Sequence, residues 1–181
     1  MSDRLLFVTS NPGKVREVEA ILGIPVEQLT LDVPEIQSLD VEEVVRQKAL
    51  SAFAHAGRPV LVEDTGLYLD ALSGLPGALV RWFLATIGPA GICALIPPGA
   101  DRGARARTAV ALCDGETVEV MTGETCGVIA SAPTGAGGFG WDPIFRPIGA
   151  SHTFAEMDQA EKNRFSMRRQ ALERLRERLP A

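Results

Sequence analysis

The amino-acid sequence predicts an α/β fold with a mixed sheet, and three features of the chain lead to this prediction. Short apolar, strand-like runs alternate with helix-like segments, two long β segments follow each other near residue 115, and the chain ends in an amphipathic helix. With 181 residues and 46% apolar composition, residues 1–181 can bury a substantial core as one domain, with room for two lobes.

Start and stop signals divide the chain into elements. Residues 4–9 read as a buried strand, and Pro12 suits the first position of a helix that ends at Gly23. The other expected elements are a strand near 26–31, a helix around 41–56, a strand at 59–64, a helical stretch at 79–96 broken at Gly88-Pro89, β segments at about 106–113 and 117–130 joined by a hairpin around Asp114-Gly115, and a helix at roughly 158–179 with Phe165, Leu172, Leu175 and Leu179 on one face.

Composition and charge exclude several classes of partner. A net charge of −5 argues against a nucleic-acid polymer or a membrane surface as partner. No stretch approaches 18 consecutive apolar residues, and the N-terminus has no basic region followed by an apolar one, so we expect a soluble, cytoplasmic protein. The three cysteines are odd in number and lack C-x-x-C spacing, which argues against disulfides or a zinc site.

Lysine is rare in this chain. Of 18 basic residues, only Lys14, Lys48 and Lys162 are lysines. This bias either reflects coding composition or marks positions where a compact ammonium is needed and a broad guanidinium does not fit.

The first strand runs into TSNPGK, at residues 9–14. A strand, a tight turn and a helix start give the geometry in which backbone N–H groups and the helix dipole receive a phosphate. Thr9, Ser10 and Asn11 add short polar groups, and Lys14 lies one turn into the helix. The Walker A pattern is absent. The junction is therefore either an anion site or an ordinary capped turn.

A pair of carboxylates, Glu63 and Asp64, ends the apolar strand in VEDTGL. Hard cations such as Mg²⁺ prefer carboxylate oxygens, and one carboxylate could deprotonate a metal-bound water. Strand alternation points the two side chains to opposite faces, so a shared site requires distortion at the strand end. The alternative is solvated charge. Glu35 could supply another carboxylate from a loop.

Two further segments carry candidate chemistry near the C-terminus. Residues 135–140 match G-x-G-x-x-G, but Asp142-Pro143 blocks the helix that a dinucleotide-binding loop must open, so we reject a Rossmann site. Phe139 and Trp141 in this loop either stack on a base or fold onto the core. Arg168 lies on the apolar stripe of the last helix and needs a partner, either a keto oxygen or phosphate of a ligand or a structural carboxylate.

Four segments, in this order, resemble the inosine/xanthosine triphosphate pyrophosphatase family. They are FVTSNPGKVREVEAILG, LVEDTGLYLDALSGLPGALVRWFL, GGFGWDPIF and AEMDQAEKNRFSMRRQAL, and they span nearly the whole chain. The resemblance implies a two-lobed mixed α/β fold with a nucleotide cleft between the lobes, and a homodimer. It also implies Mg²⁺-dependent hydrolysis of ITP, dITP and XTP to the monophosphate and pyrophosphate.

The resemblance further implies roles for individual residues. The triphosphate would be held by Thr9, Ser10, Asn11, Pro12, Gly13 and Lys14, and Lys48 and Lys162 would contact phosphate or base. The metal would be served by Glu35, Glu63 and Asp64. Asp64 would be the general base for the water that attacks the α-phosphorus, with Lys14 as the second catalytic residue, and Thr65 would touch the substrate. The base would be framed by Phe139, Gly140, Trp141 and Asp142, and Arg168 would read its 6-keto oxygen.

The chain departs from the family at one position, where Ser166-Met167-Arg168 replaces the usual Ser-His-Arg. A thioether can pack against a purine but does not replace the polar contact of an imidazole, which leaves base selectivity open. Three alternatives stay open as well: a pyrophosphatase for other modified nucleotides, a nucleotide-binding sensor without turnover, and a purely structural protein.

Overall fold

The computed structural model describes residues 4–178, and in these residues it has a seven-strand mixed sheet and six α-helices. The strands are β1 (Leu5–Val8), β2 (Val26–Leu29), β3 (Val60–Leu69), β4 (Pro76–Gly77), β5 (Gly103–Cys113), β6 (Val118–Ile129) and β7 (Phe145–Pro147). The helices are α1 (Pro12–Leu22), α2 (Val41–Ala56), α3 (Val80–Thr86), α4 (Gly88–Ala94), α5 (Gln159–Phe165) and α6 (Met167–Arg176).

The sheet combines parallel and antiparallel pairs, which confirms the predicted fold class. Its strand order is β2-β1-β3-β5-β6-β7, with β4 paired to β3. Strand β1 lies parallel to both β2 and β3, whereas β4 and β7 pair antiparallel with β3 and β6. No helix within residues 4–178 is long and apolar enough to cross a membrane.

Capping residues fix the helix boundaries that the sequence predicts. Asn11 caps α1 and Pro12 occupies its first turn, while Gly23 ends it in the left-handed region, with φ of 72°. Asp40 caps α2 in the same way. The predicted hairpin between β5 and β6 is confirmed, because the Asp114 carboxylate accepts the two N–H groups that close its turn.

Two predicted boundaries are wrong. Strand β3 does not end at Asp64 but continues to Leu69, because Leu67 and Leu69 are also buried and extend the apolar pattern. The single helix expected at 158–179 is two helices, because Ser166 is extended (φ −69°, ψ 116°) and separates α5 from α6. Leu179, expected on its apolar face, lies outside the described residues.

The chain divides into two compact units, each with its own core. The first unit comprises, among the described residues, 4–64, 108–123 and 168–178, and the second comprises Thr65–Arg107 and Glu124–Met167. The first core packs α1 and α6 onto β1 and β3 through Phe7, Val18, Leu61 and Leu172, among others. The second core is aromatic, and Phe145 lies 5.4 Å from both Trp141 and Phe154 between ring centroids.

Candidate active site

The junction between β1 and α1 is a fully capped helix start. The Thr9 hydroxyl accepts a hydrogen bond from the Asn11 N–H at 3.1 Å, and Asn11 Oδ1 accepts from the N–H groups of Gly13 at 2.8 Å and Lys14 at 3.4 Å. The N–H groups of Asn11, Gly13 and Lys14 therefore already have an acceptor. A phosphate at this helix start would have to replace the Asn11 side chain as that acceptor.

Lys14 lies against the carboxylate of Glu63, which is held by a second cation. Lys14 Nζ is 3.1 Å from Glu63 Oε1. Arg168 Nε and Nη2 donate to the two oxygens of the same carboxylate at 2.7 and 2.9 Å, in a bidentate pair. Arg168 Nη1 donates to Glu17, on the same helix as Lys14. Two cations and two carboxylates thus form one network in the first unit, which we call the Glu63 network.

The electrostatics of the Glu63 network favour its charged form. Burial of the Glu63 side chain, which is 1% exposed, would raise its pKa, but attraction to Arg168 and Lys14 and their hydrogen bonds lower that pKa to about 2. Burial would lower the pKa of Arg168, but Glu63 and Glu17 raise it. At neutral pH Glu63 and Arg168 are therefore both charged, and a carboxylate this strongly paired has no tendency to act as a proton acceptor.

Lys48 connects the loop carboxylate to strand β3. Its Nζ is 2.7 Å from Glu35 Oε1 and 3.5 Å from the backbone oxygen of Glu63. Glu35 is exposed and Asp64 is half-buried. The structure therefore brings Lys48 and Glu35 to the segment of β3 that carries Glu63 and Asp64.

The predicted metal ligands differ in how well they suit a cation. No group of three or more His, Cys, Asp or Glu side chains within residues 4–178 is arranged to hold a metal ion. Glu35 and Asp64 have the carboxylate chemistry and the exposure that Mg²⁺ with retained waters requires. Glu63 does not fit as it stands, because Arg168 donates to both of its oxygens. For Glu63 to bind a cation directly, Arg168 would have to release one of them.

A third lysine–carboxylate pair lies in the second unit. Lys162 Nζ is 2.6 Å from Asp142 Oδ2, and both residues are buried. The same oxygen accepts the N–H of Phe139 at 2.9 Å, and Lys162 Nζ lies 4.9 Å from the centre of the Phe139 ring. Asp142 therefore fixes both the ammonium of Lys162 and the backbone of the glycine-rich loop.

The two aromatic residues of that loop have different positions. Trp141 is 8% exposed and packs in the core of the second unit, whereas Phe139 is 40% exposed. The interpretation that the aromatics fold onto the core is thus confirmed for Trp141. Phe139 keeps its ring exposed, and its stacking on a base stays a prediction. Met167 is 4% exposed in the same core as Trp141.

Glycine is required in this loop at one position in particular. Gly138 has φ of 71°, and a Cβ built on it would lie 2.2 Å from Asp142 Oδ2. The loop leads through Asp142 into a single turn of 3₁₀-helix at Asp142–Ile144 and then into β7. Since no α-helix opens here, the rejection of a Rossmann site is confirmed.

The predicted site residues span all degrees of burial. The exposed ones are Ser10, Pro12, Glu35, Phe139 and Gly140; the half-buried ones are Thr9, Asn11, Gly13, Lys14, Lys48, Asp64 and Thr65; and the buried ones are Glu63, Trp141, Asp142, Lys162, Met167 and Arg168. Each of the three lysines contacts a carboxylate of this set.

Sequence reasoning missed Glu17. It lies three residues after Lys14 on α1, a spacing that places two side chains on one helix face. That spacing was a signal for pairing with Lys14. The actual partner, Arg168, is 151 positions away and could not be inferred from local pattern.

The fold and the site define an α/β protein with a polar, lysine-bearing strand-to-helix junction next to a row of carboxylates. The chain belongs to the Ham1 family, whose model matches residues 5–178.

Relatives and a solved structure agree with this assignment and confirm the resemblance seen in the sequence. The chain is 47% identical over 173 residues to "Inosine triphosphate pyrophosphatase 1" of Trypanosoma cruzi, an alignment that covers 93% of this chain and 88% of the relative. It is 44% identical over 172 residues to a "dITP/XTP pyrophosphatase" of Thermococcus kodakarensis, covering 93% of each. A HAM1 protein from Coxiella burnetii has the same fold, with a TM-score of 0.84 and 29% identity over 96% of this chain and 97% of that chain.

Proposed function

We propose that this protein hydrolyses the non-canonical purine nucleoside triphosphates ITP, dITP and XTP to the nucleoside monophosphate and pyrophosphate, which removes damaged purines from the nucleotide pool. The observation that carries the proposal is the Glu63 network with Lys14 at a helix start, in a chain 44–47% identical to relatives named as such pyrophosphatases. Phosphoryl transfer depends on charge neutralisation and an aligned water more than on covalent help. Lys14 supplies positive charge, and Asp64, the residue after Glu63, supplies a carboxylate for the water.

The triphosphate is held by the strand-to-helix junction of the first unit. Lys14 and Lys48 offset its negative charge. Thr9 to Gly13 offer hydroxyl and amide groups, and the N–H of Gly13 becomes available when the phosphate replaces Asn11 Oδ1 as its acceptor. Lys14 and Lys48 leave Glu63 and Glu35 to do so, since each ammonium now contacts one of these carboxylates.

Water attack is assigned to Asp64, next to Thr65, which touches the substrate. Its half-buried carboxylate accepts the proton of the water that attacks the α-phosphorus, and pyrophosphate leaves. Glu35 and Asp64 would hold Mg²⁺, which would supply charge neutralisation for the polyphosphate. Glu63 stays in its ion pairs beside them, and its direct metal binding remains a prediction that requires Arg168 to move.

The base is assigned to the loop of the second unit and its lysine. Phe139 offers an exposed ring for stacking. Gly140, which is exposed and has no side chain, lets a base approach the backbone next to this ring. Asp142 and Lys162 supply polar groups at the same loop, while Trp141 and Met167 support it from the core. A hydrogen-bond donor in the site pairs with the 6-keto oxygen of hypoxanthine or xanthine. With adenine the same donor faces the 6-amino group, and both stay unpaired, which costs about 1–3 kcal/mol, or roughly 10–100-fold in affinity.

The deciding experiment measures pyrophosphate release with Mg²⁺ from ITP, dITP, XTP, GTP, ATP and one pyrimidine triphosphate. We expect ITP, dITP and XTP to be hydrolysed at least tenfold faster than ATP, because with ATP the donor of the site and the 6-amino group are both left without an acceptor. Equal rates on all six would contradict selection through the 6-keto group and favour the pyrophosphatase for other modified nucleotides.

A matched variant distinguishes turnover from binding alone. Asp64→Asn is expected to lower hydrolysis by at least 100-fold while ITP binding persists, because it removes the proton acceptor and keeps the side-chain volume. A wild type that binds ITP without releasing pyrophosphate would be a sensor, and one whose melting temperature does not respond to ITP would be structural.

Sedimentation and cell fractionation test two further expectations, a homodimer and a cytoplasmic location.

A further inference from the structure

The backbone N–H of Ser10 differs from its neighbours at the strand-to-helix junction. The N–H groups of Asn11, Gly13 and Lys14 have acceptors within the junction, at 2.8 to 3.4 Å. Among residues 4–178, no group accepts a hydrogen bond from the Ser10 N–H, and Ser10 is exposed. An N–H group without a protein acceptor can donate to a ligand without first breaking a bond. The Ser10 N–H is therefore a backbone donor that this junction leaves ready for an anion.

The direction of this N–H is fixed from strand β2. Gln28 Nε2 donates to the Thr9 carbonyl oxygen at 2.9 Å, and the Thr9 N–H donates to the Leu29 carbonyl at 3.0 Å. The Thr9 carbonyl and the Ser10 N–H belong to one planar, trans peptide group, so they point in opposite directions. A side chain that holds this carbonyl toward β2 therefore turns the Ser10 N–H away from β2.

The side of β1 away from β2 is the side of β3. Strand β1 lies between these two strands in the sheet, and it is parallel to both. The register of β1 and β3, extended past the end of β1, would place Ser10 opposite Asp64. The ammonium of Lys14 lies 3.1 Å from Glu63, the residue before Asp64. The Ser10 N–H thus points toward the strand that carries both carboxylates and that Lys14 contacts.

We propose that Gln28 is a positioning residue for the phosphate end of the site. It holds the peptide between Thr9 and Ser10 so that the Ser10 N–H faces a phosphate beside Lys14, and it does not touch the phosphate itself. Because this peptide is held before the ligand arrives, its rotation does not have to be frozen on binding. The inference rests on the proposed function for the identity of the anion, and it adds a residue to that site from the neighbouring strand.

Replacing Gln28 by methionine removes the amide donor and keeps the length of the side chain. Gln28 is exposed, so Gln28→Met leaves both cores intact, and we expect the variant to fold. The matched control is Gln159→Met. Gln159 is also exposed, and its Nε2 donates to Asn163 Oδ1 at 2.8 Å in the second unit. Each variant loses one exposed side-chain hydrogen bond, but only Gln28 holds a peptide of the junction.

The probe is inorganic tripolyphosphate, which has no base, titrated calorimetrically in EDTA. We expect Gln28→Met to weaken its binding about fivefold, because the Ser10 N–H is no longer aimed at the anion. The control Gln159→Met should stay within about twofold of wild type. In Gln28→Met the kcat/KM values for ITP and ATP should fall by the same factor, since both nucleotides carry the same triphosphate.

Nuclear magnetic resonance of isotope-labelled protein reports on the N–H itself. At saturation with tripolyphosphate, the Ser10 amide proton should move downfield in the wild type and should move less in Gln28→Met, because a hydrogen bond to an anion deshields the proton. A purely structural role of Gln28 would change neither this signal nor the affinity for tripolyphosphate, and would appear only in the free energy of unfolding.

Four results would overturn the inference. They are wild-type affinity for tripolyphosphate in Gln28→Met, an equal loss of affinity in Gln159→Met, a Ser10 amide signal that does not move in the saturated wild type, and absence of tripolyphosphate binding by the wild type. A wild type that binds tripolyphosphate but releases no pyrophosphate from ITP would contradict only the proposed function.

Discussion

Replacing Glu63 by glutamine tests the energetics of the buried network without any reference to function. Glu63→Gln keeps the size of the side chain but leaves Arg168 and Lys14 without their shared negative charge. A pKa that falls from an ordinary 4.5 to about 2 on folding contributes about 3 kcal/mol at pH 7, at 1.36 kcal/mol for each pH unit. Removing one member of a buried ion pair costs about 3–5 kcal/mol, which agrees in magnitude.

The pH dependence gives the prediction its sign. The pKa of Glu63 is lower in the folded than in the unfolded chain, so its contribution is fully present above about pH 4.5 and is lost as the pH falls toward 2. Protonated Glu63 resembles glutamine in size and charge. The difference in unfolding free energy between wild type and Glu63→Gln should therefore shrink from about 3 kcal/mol at pH 7 to about half of that at pH 3.

Urea denaturation in EDTA at pH 7, 5, 4 and 3 measures this difference directly, because effects of other carboxylates are common to both proteins. Glu173→Gln is the control, since Glu173 forms only an exposed pair with Arg169, and its difference from wild type should stay near zero at every pH. A gap that remains constant from pH 7 to pH 3, or no gap at pH 7, would refute the reasoning.

Three further predictions concern single contacts. Asp142→Asn leaves a buried ammonium without its carboxylate and should cost about 3 kcal/mol, seen as a fall of about 6–12 °C in melting temperature. Gly138→Ala should destabilise by at least about 2 kcal/mol more than Gly149→Ala, because both positions have positive φ but only the first brings a Cβ against a fixed carboxylate; equal losses would contradict this. Asn11→Ala and Asp40→Ala each remove a helix cap, and each should lower the free energy of unfolding by about 1 kcal/mol in urea denaturation.

Helix boundaries could be predicted from the sequence because their causes are local. Asn11 and Asp40 cap their helices through N–H groups two or three residues away, and Gly23 and Gly57 end them in a left-handed conformation. The break at Ser166 is different. Its extended backbone is accompanied by a hydrogen bond from the Thr125 hydroxyl to the carbonyl of Phe165, 40 residues away. Because this contact is not local, the sequence pattern around Ser166 predicted one continuous helix.

The end of strand β3 was misplaced for a similar reason. Two adjacent acids after an apolar run indicate a solvated strand end, yet Glu63 is buried inside a strand that continues for six more residues, to Leu69. What allows this burial is Arg168, 105 positions later. The sequence showed that Arg168 faces inward and requires a partner, but not which carboxylate it meets. That residues 1–181 act as one domain stays a prediction.

The three lysine pairs suggest why a site for a polyanion contains so many acids. A lysine kept ready for a phosphate is a charge that must be compensated before the phosphate arrives, and Glu63, Glu35 and Asp142 do this at distances of 2.6 to 3.1 Å. When Lys48, for example, turns to a phosphate, the Glu35 carboxylate loses its cation. A site of this kind binds its anion most favourably when something else then neutralises the released carboxylate, either a second positive side chain, as Arg168 does for Glu63, or a divalent cation.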